Sequence, residues 1–260
     1  MTDLVTTEDR GPVRHVALNR PEKRNAFNGE LVLAVGRALG AAADDPSVRC
    51  VVVRGEGPMF SSGMDLGALG EVAGAPQHLR AFRRACLDAF NLAEEMPKPT
   101  VCAIQGACIG GAMELALACD LRVMAAEAII GLPETRIGLI PDVGGSSRLP
   151  SIVGLGRAKE LILTGKLIDG TEAERIGLVN RAVPGDELEA ATDRLVDELL
   201  ACAPIAVGLA KRVIDAAAKP ALATTLELEV ALQQVCAASQ DFAEGAAAFR
   251  EKRQPEFSGR

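Results

Sequence analysis

The sequence lacks the features of several common protein classes. Its 260 residues contain no run approaching the roughly 18 apolar residues needed to cross a bilayer, and residues 1–14 are too polar for a signal peptide. Positive charge is in deficit, with 28 Lys and Arg against 35 Asp and Glu, which argues against broad binding to nucleic acid or to an acidic membrane. We therefore expect a soluble, cytoplasmic protein with no nucleic-acid or membrane partner.

Metal-site and nucleophile signatures are also missing. The seven Cys are an odd number in apolar segments, with no CxxC pair and no spacing typical of metal ligands. We expect reduced, buried thiols in a reducing compartment. The GxSxG motif of a serine hydrolase is absent, and neither His15 nor His78 has a recognisable partner in the sequence. A serine nucleophile in the turn of residues 61–63 is therefore disfavoured against a tight surface turn.

The hydrophobic residues, 48% of the chain, are enough for one large core, and their spacing predicts its organisation. Short apolar runs alternate with helical patterns, which favours an α/β core with βαβ-like units. The predicted strands are 13–19, 50–54, 100–104, 121–125 and 128–131, and the helices between them are 28–43 and 77–95. After residue 156 the strand signal fades, and an α-helical extension is predicted at 157–164, 172–176, 187–201, 205–217 and 224–236. Its apolar faces suit an oligomer surface.

A glycine-rich turn enters an apolar helix within residues 104–120. Gly110 and Gly111 let the backbone approach a ligand closely, and the first N–H groups of a helix have no intrahelical partner. These donors, at the positive end of the helix dipole, suit an anion or a developing oxyanion. Glu114 follows among apolar residues, where its pKa should rise towards the range useful for acid–base chemistry. The alternative is a close helix–strand contact, with Glu114 reaching solvent or pairing with an Arg.

Two more carboxylates follow the last predicted strand of the core. Glu134 is predicted at the end of that strand, and Asp142 lies in a loop rich in Pro and Gly. Two carboxylates in one apolar pocket can separate in pKa, so that one serves as a base and the other as an acid. The alternatives are a salt bridge from Glu134 to Arg136 or Arg148, and a helix N-cap formed by Asp142.

These segments, in this order and spacing, resemble the enoyl-CoA hydratase/isomerase (crotonase) family. LNRPEKRNAFN at residues 18–28 is similar to the family's opening strand and loop, and DFAEGAAAFREKR at 241–253 to its closing helix. The similarity spans about residues 13–258. It implies a crotonase-like spiral of ββα units in an α/β core over residues 1–195. It also implies an α-helical C-terminal trimerisation region over 196–260, in a homotrimer or homohexamer.

The resemblance also implies a reaction. Two backbone N–H groups, by motif those of Met64 and Gly111, would hold the oxygen of an acyl-CoA thioester while it becomes an enolate. Glu134 would protonate the α-carbon and Glu114 would help to activate and orient water, so that a trans-2-enoyl-CoA becomes a 3-hydroxyacyl-CoA. No metal or separate cofactor is implied, because coenzyme A is part of the substrate.

Substrate contacts and an alternative reaction follow from the same resemblance. The expected contacts of the coenzyme A nucleotide are Arg24, Ala26, Ser62, Asp65 and Leu66, with Phe249 and Lys252 of the same or a neighbouring subunit closing its end. Some family members that shift double bonds use an Asp in a loop like that of Asp142. The alternative is therefore an enoyl- or dienoyl-CoA isomerase that uses Asp142 with Glu114 or Glu134. A relative that binds acyl-CoA or RNA without turnover is a third hypothesis, and the acidic balance of the chain counts against RNA.

Overall fold

The computed structural model describes residues 3–65, 67 and 76–258, and all structural statements concern these residues. The strands are β1 Val5–Arg10, β2 Val13–Leu18, β3 Cys50–Gly55, β4 Thr100–Ile104, β5 Ala107–Ile109, β6 Leu121–Ala125, β7 Ile129–Gly131, β8 Leu167–Asp169 and β9 Arg181–Val183. The helices are α1 Gly29–Asp44, α2 Pro76–Glu95, α3 Gly111–Ala118, α4 Gly145–Val153, α5 Leu155–Thr164, α6 Gly170–Arg175, α7 Leu188–Leu200, α8 Pro204–Ala218, α9 Leu222–Ala237 and α10 Gln240–Glu251. Single 3-10 turns occupy Pro21–Lys23, Glu134–Ile137 and Gly185–Glu187.

A six-stranded sheet in the order β1-β2-β3-β4-β6-β9 carries the core. The β1–β2 pair is antiparallel and the other pairs are parallel. Successive side chains of a strand point to opposite faces. Val51, Val53 and Ile104 therefore share one apolar cluster with α1, α2 and α3, whereas Val52 and Val101 share another with α7. Both faces are covered, as is usual for a mainly parallel sheet.

A second, three-stranded sheet in the order β5-β7-β8 positions the candidate site. β5 pairs in parallel with β7, and its Cys108 also forms an isolated bridge with Ser61 in the segment after β3. The short strand β5 therefore lies between the end of the β3 segment and the end of β7. The chain segments that follow β3 and β7 leave the carboxyl ends of parallel strands, where open α/β sheets commonly bind ligands.

The C-terminal third of the chain is mainly helical. Buried Lys211 of α8 pairs with Asp120 at 2.8 Å and so fixes this helix to the core. The outer side of α8 carries exposed Ile205, Leu209 and Val213. No helix among the described residues is both long and apolar enough to span a membrane. The division at residues 195 and 196 stays a prediction.

The mixed α/β core is confirmed, and each predicted strand and helix has a counterpart within a few residues. Asn28 is the N-cap of α1 and accepts a hydrogen bond from the Leu31 N–H at 2.9 Å. The expectation that strands end before residue 156 is wrong, because β8 and β9 lie beyond it. Five of the seven Cys are buried and all are free, whereas Cys202 is exposed and Cys236 is half-buried, so burial was wrongly expected for those two.

Candidate active site

The segments of Met64 and Gly111 meet where β5 ends. The Ser61 N–H donates to the Ala107 carbonyl at 2.9 Å, and the Ile109 N–H donates to the Ser61 carbonyl at 3.3 Å. This pairing places Met64 against Gly111, where an added Cβ would lie 2.6 Å from the Met64 Cε atom. Within the described part of the chain, neither the Met64 N–H nor the Gly111 N–H donates to a backbone acceptor. Both N–H groups therefore remain available to another acceptor.

Gly110 joins β5 to α3 in a conformation that favours glycine. Its φ is +58°, and its N–H donates to the Gly131 carbonyl at 2.9 Å. A Cβ at this position would lie 2.8 Å from the Glu134 Oε1 atom. The missing side chain thus allows the Glu134 carboxyl to approach the start of α3.

Glu114 projects from the first turn of α3 and is 2% exposed. Its Oε1 atom accepts hydrogen bonds from the Val143 and Gly145 N–H groups, both at 2.9 Å. The alternative in which Glu114 reaches solvent or pairs with an Arg is therefore wrong. Burial, followed by the negative charges of Glu134 and Asp142, raises the pKa of Glu114 well above its ordinary value.

Glu134 lies in the 3-10 turn Glu134–Ile137, three residues beyond β7 rather than at the strand end. Its Oε2 atom is buried and has no hydrogen-bond partner among the described residues. Burial is the main cause that raises the pKa of Glu134 to about 8, and the charge of Asp142 adds to it. The surroundings of this carboxyl therefore favour its protonated form.

The alternative in which Glu134 forms a salt bridge to Arg136 or Arg148 is wrong. The Arg136 Nε atom donates instead to the Thr164 carbonyl at 3.0 Å. The fully buried Arg148 pairs with Glu94 at 2.8 Å. Both guanidinium groups are thus engaged elsewhere, which explains why burial dominates the pKa of Glu134.

The C-terminal helix α10 supports the Glu134 turn from behind. Gly245 packs so closely that an added Cβ would lie 2.7 Å from the Ile137 carbonyl carbon. Gly138, with a φ of +77°, would place a Cβ 2.8 Å from the Phe242 Cα atom. These contacts hold the turn that presents Glu134.

Asp142 forms an ion pair rather than a helix cap. Its Oδ2 atom lies 3.1 Å from the Arg83 Nε atom, and its side chain is 16% exposed. The N-cap of α4 is Gly144 rather than Asp142, so the N-cap interpretation is wrong. Burial raises the pKa of Asp142 to about 7, against the opposing charge of Arg83.

Four of the predicted nucleotide contacts lie on two connected loops. The Ser62 N–H donates to the Arg24 carbonyl at 3.0 Å. The Arg20 Nη1 atom donates to Asp65 Oδ2 and to the Ala26 carbonyl, each at 3.0 Å. Arg24 is exposed and Ala26 is buried. The structure thus brings Arg24, Ala26, Ser62 and Asp65 together.

The remaining predicted contacts lie apart from these loops or outside the description. Leu66 falls outside the described residues. Phe249 and Lys252 are exposed at the C-terminal end of α10, which packs on the Glu134 turn and on α9. Their contact with a nucleotide stays a prediction.

Two charged residues beside the site were missed by the sequence analysis. Arg83 of α2 and Glu229 of α9 are 2% and 4% exposed, and they contact the loop between the Glu134 turn and α4. They are 146 positions apart in the chain. The only signal was a charge within an apolar helical pattern, which more often marks a solvated face.

The mixed α/β fold thus brings two backbone N–H groups without a backbone acceptor and the carboxyls of Glu114, Glu134 and Asp142 into one site. The chain belongs to the enoyl-CoA hydratase/isomerase family, whose model matches residues 8–260. The enoyl-CoA isomerase/hydratase fer4 of Mycosarcoma maydis is 37% identical over 258 residues, covering 95% of this chain and 93% of the relative. Human enoyl-CoA hydratase domain-containing protein 2, mitochondrial, is 40% identical over 257 residues, covering 97% of this chain and 87% of the relative.

A solved structure confirms the fold class. The crystal structure of an enoyl-CoA hydratase from Mycobacterium avium subsp. paratuberculosis superimposes with a TM-score of 0.89 at 31% identity and covers 98% of both chains. The crotonase-like fold expected from the sequence motifs is therefore confirmed.

Proposed function

We propose that this protein is an enoyl-CoA hydratase that adds water to a trans-2-enoyl-CoA and forms a 3-hydroxyacyl-CoA. The observation that carries the proposal is the unequal hydrogen bonding of two carboxyls in the site. Glu114 is anchored by two N–H donors, whereas Glu134 keeps a buried oxygen without a partner. Family membership and relatives named as hydratases support an acyl-CoA thioester as the substrate.

The N–H groups of Met64 and Gly111 form the oxyanion hole in this proposal. Negative charge builds on the thioester oxygen when water attacks the β-carbon. Donors already fixed beside that oxygen need no rearrangement during the reaction, and one such donor is typically worth ~10²–10³ in rate. The pairing of β5 with the Ser61 segment supplies this rigidity.

Glu134 and Glu114 divide the proton transfers. The two carboxyls interact and titrate as a pair, and the two N–H donors favour the anion on Glu114. The water oxygen bonds to the β-carbon while a proton of that water passes to Glu114. Glu134 gives its proton to the α-carbon, and the thioester carbonyl re-forms. Exchange with solvent restores both carboxyls.

Assembly and substrate binding complete the proposal. The exposed apolar side of α8 supports a homotrimer or homohexamer. Arg24, Ala26, Ser62, Asp65 and Leu66 would contact the nucleotide of coenzyme A, with Phe249 and Lys252 closing its end. The reaction needs no metal or redox cofactor, because polarisation and proton transfer come from the protein. A cytoplasmic location stays a prediction.

One observation favours a second candidate, an enoyl- or dienoyl-CoA isomerase. The charge of Asp142 acts on both Glu114 and Glu134, and its pKa of about 7 suits proton transfer near neutral pH. An isomerase would move a proton from one carbon of the acyl chain to another without adding water. In the hydratase, Asp142 would instead serve as the ion-pair partner of Arg83. We therefore keep the isomerase as the alternative.

Mass spectrometry of products separates these functions. The protein is incubated with trans-2- and trans-3-enoyl-CoA esters of increasing chain length. Gain of one water by the trans-2 esters is the expected result. Interconversion of the two series without gain of water would replace the hydratase by the isomerase. Tight binding without turnover of any ester would instead favour a binding protein.

A further inference from the structure

Two carboxylates accept hydrogen bonds, in alternation, from successive backbone N–H groups at the amino-terminal end of α4. Glu114 accepts from the Val143 and Gly145 N–H groups, as described above. Glu229 accepts from the Gly144 N–H at 2.9 Å, the Ser147 N–H at 2.7 Å and the Ser147 hydroxyl at 2.5 Å. The N–H groups of residues 143 and 145 thus donate to Glu114, whereas the N–H group of residue 144, between them, donates to Glu229.

Arg83 joins this arrangement to the helices behind it. Its Nη2 atom donates to the Leu226 carbonyl at 3.0 Å and lies 3.4 Å from the Glu229 Oε2 atom. Its Nε atom lies 3.1 Å from Asp142 Oδ2. One guanidinium group therefore connects α2 and α9 with residues 141–147. We term these residues, which are the loop before α4 and the first turn of α4, the anchor loop.

The chemistry of Glu229 suggests a role beyond packing. A buried carboxylate is expensive unless it is fully paired, and apolar side chains of similar volume often pack as well or better. Glu229 is 4% exposed, and its carboxylate has four donors: two N–H groups, a hydroxyl and Arg83. This arrangement fixes the direction of the backbone N–H groups, which apolar packing does not do.

We propose that Glu229 and Arg83 are positioning residues for Glu114. By holding the anchor loop, they keep the Val143 and Gly145 N–H groups on the Glu114 Oε1 atom. The other oxygen, Oε2, has no hydrogen-bond partner among the described residues, and in the proposed reaction it takes the proton of the attacking water. The inference rests on the proposed function, because it assigns the residues that orient one of its two carboxyls.

The variant Glu229→Gln tests the inference with nearly unchanged side-chain volume. The amide has one acceptor oxygen, and its NH₂ group would face either the Gly144 N–H or the Ser147 donors. We expect kcat for hydration to fall by ~10–10²-fold with little change in KM, because a misplaced catalytic group costs about that much. Amide hydrogen exchange of the anchor loop should become faster.

The pH dependence gives a readout that a purely structural role would not change. The charged groups facing Glu114 are Glu134 on its 3-10 turn, Asp142 in the anchor loop and Glu229 on α9, with Arg83 of α2 behind them. The negative charge of Glu229 raises the pKa of Glu114. In Glu229→Gln the titration of the Glu114–Glu134 pair should therefore move to lower pH.

A matched control uses a buried carboxylate far from the site. Asp120 pairs with Lys211 at 2.8 Å and accepts from the Thr100 N–H at 2.8 Å, at the amino-terminal end of β4. Asp120→Asn should lower the melting temperature and leave kcat and the pH profile unchanged. If Glu229→Gln does not fold, Ser147→Ala removes one donor and should reduce kcat about threefold, as expected for one hydrogen bond of modest strength.

The outcomes separate this inference from the proposed function. Wild-type kcat and an unchanged pH profile in a folded Glu229→Gln would overturn the inference and leave the hydratase intact. A wild-type protein without hydration would defeat the proposed function. In that case exchange of the anchor-loop amides decides the inference: faster exchange in Glu229→Gln supports it, and unchanged exchange overturns it.

Discussion

Glu114, which is buried, and Glu134, which is half-buried, are two glutamates of one site with different surroundings. Glu114 has two backbone N–H donors on one oxygen, whereas Glu134 has a buried oxygen without a partner among the described residues. Burial raises the pKa of both. The two carboxyls thus differ in hydrogen bonding, and an N–H donor on Glu114 lowers its pKa against the burial that raises it.

The backbone segments that carry the two glutamates also differ. Glu114 belongs to α3, whose residues are all buried, and its carboxyl is fixed by a loop that follows much later in the chain. Glu134 belongs to a single 3-10 turn that packs on Gly110 and on α10. Substitutions should therefore disturb the two carboxyls separately, which makes the comparison testable.

The largest effect should come from Glu134→Gln. The amide keeps the shape of the side chain but has no acidic proton for the α-carbon. We expect kcat for hydration of trans-2-enoyl-CoA to fall by ~10²–10⁴-fold, the usual contribution of a general acid or base. The rate is followed by loss of the conjugated thioester absorbance. Glu160→Gln, an exposed glutamate on α5, should keep the wild-type rate, and equal rates for both variants would contradict the role of Glu134.

Gly110→Ala should act on Glu134 while leaving the anchor of Glu114 intact. The new Cβ would lie 2.8 Å from the Glu134 Oε1 atom, on a backbone with a φ of +58°. We expect hydration to fall by ~10²-fold, because the carboxyl is pushed away from the reacting carbon.

Gly11→Ala is the control that distinguishes the contact with the Glu134 carboxyl from backbone strain. Gly11 has a φ of +60°, and its Cβ would meet nothing within 4 Å. It should lower stability to a similar degree, by about 1 kcal/mol for an alanine in the left-handed region. Its hydration rate should stay that of the wild type, and a loss as large as in Gly110→Ala would assign the effect to strain.

Local sequence signals predicted the two carboxyls and the main strands of the core. Glu114 follows a glycine turn at a helix start, so its place in the first turn of α3 depends on neighbours along the chain. The run from Cys50 predicted β3 because apolar β-branched residues fill a strand that is covered on both faces. Motif resemblance supplied the pairing of Met64 with Gly111, which composition and periodicity did not indicate.

The remaining features depend on contacts between distant segments. β8 and β9 are three residues long, so neither shows an alternating pattern. β1 is polar and mostly exposed, and it forms a strand because it pairs with β2 at the sheet edge. Asp142 looked like a helix cap because Arg83 lies in another helix, and only the tertiary fold brings the two charges together.

The pH dependence should show which carboxyl carries the proton. The pKa of Glu134 rises from an ordinary 4.5 to about 8, so hydration needs the protonated form and declines above that value. We expect about a tenfold fall in kcat/KM for one pH unit on the alkaline side. Dehydration of the 3-hydroxyacyl-CoA should show the opposite limb and decline below pH 8, because it needs the ionised form.

The same pKa shift predicts a change in stability. Between pH 4.5 and about 8, the folded protein keeps the Glu134 proton that the unfolded chain has lost. This carboxyl therefore makes the free energy of unfolding decrease as pH rises through that window. Glu134→Gln should flatten the decrease in urea titrations at several pH values. An unchanged slope would show that Glu134 is ionised at neutral pH, and the contrast with Glu114 would fail.

The smallest effect should come from Asp142→Asn, which changes the third carboxyl of the pocket. Asn keeps an oxygen for the Arg83 Nε atom, and both backbone donors to Glu114 stay in place. Loss of one negative charge should lower the pKa of Glu134, since Asp142 raises it, and shift the alkaline limb of hydration to lower pH. At pH 7 we expect hydration to change only about threefold, as for a weak ionic contact.

Loss of a double-bond shift in Asp142→Asn with hydration retained would add a second activity to the same pocket. A loss of hydration as large as in Glu134→Gln would instead show that three carboxyls, rather than two, share the proton transfers.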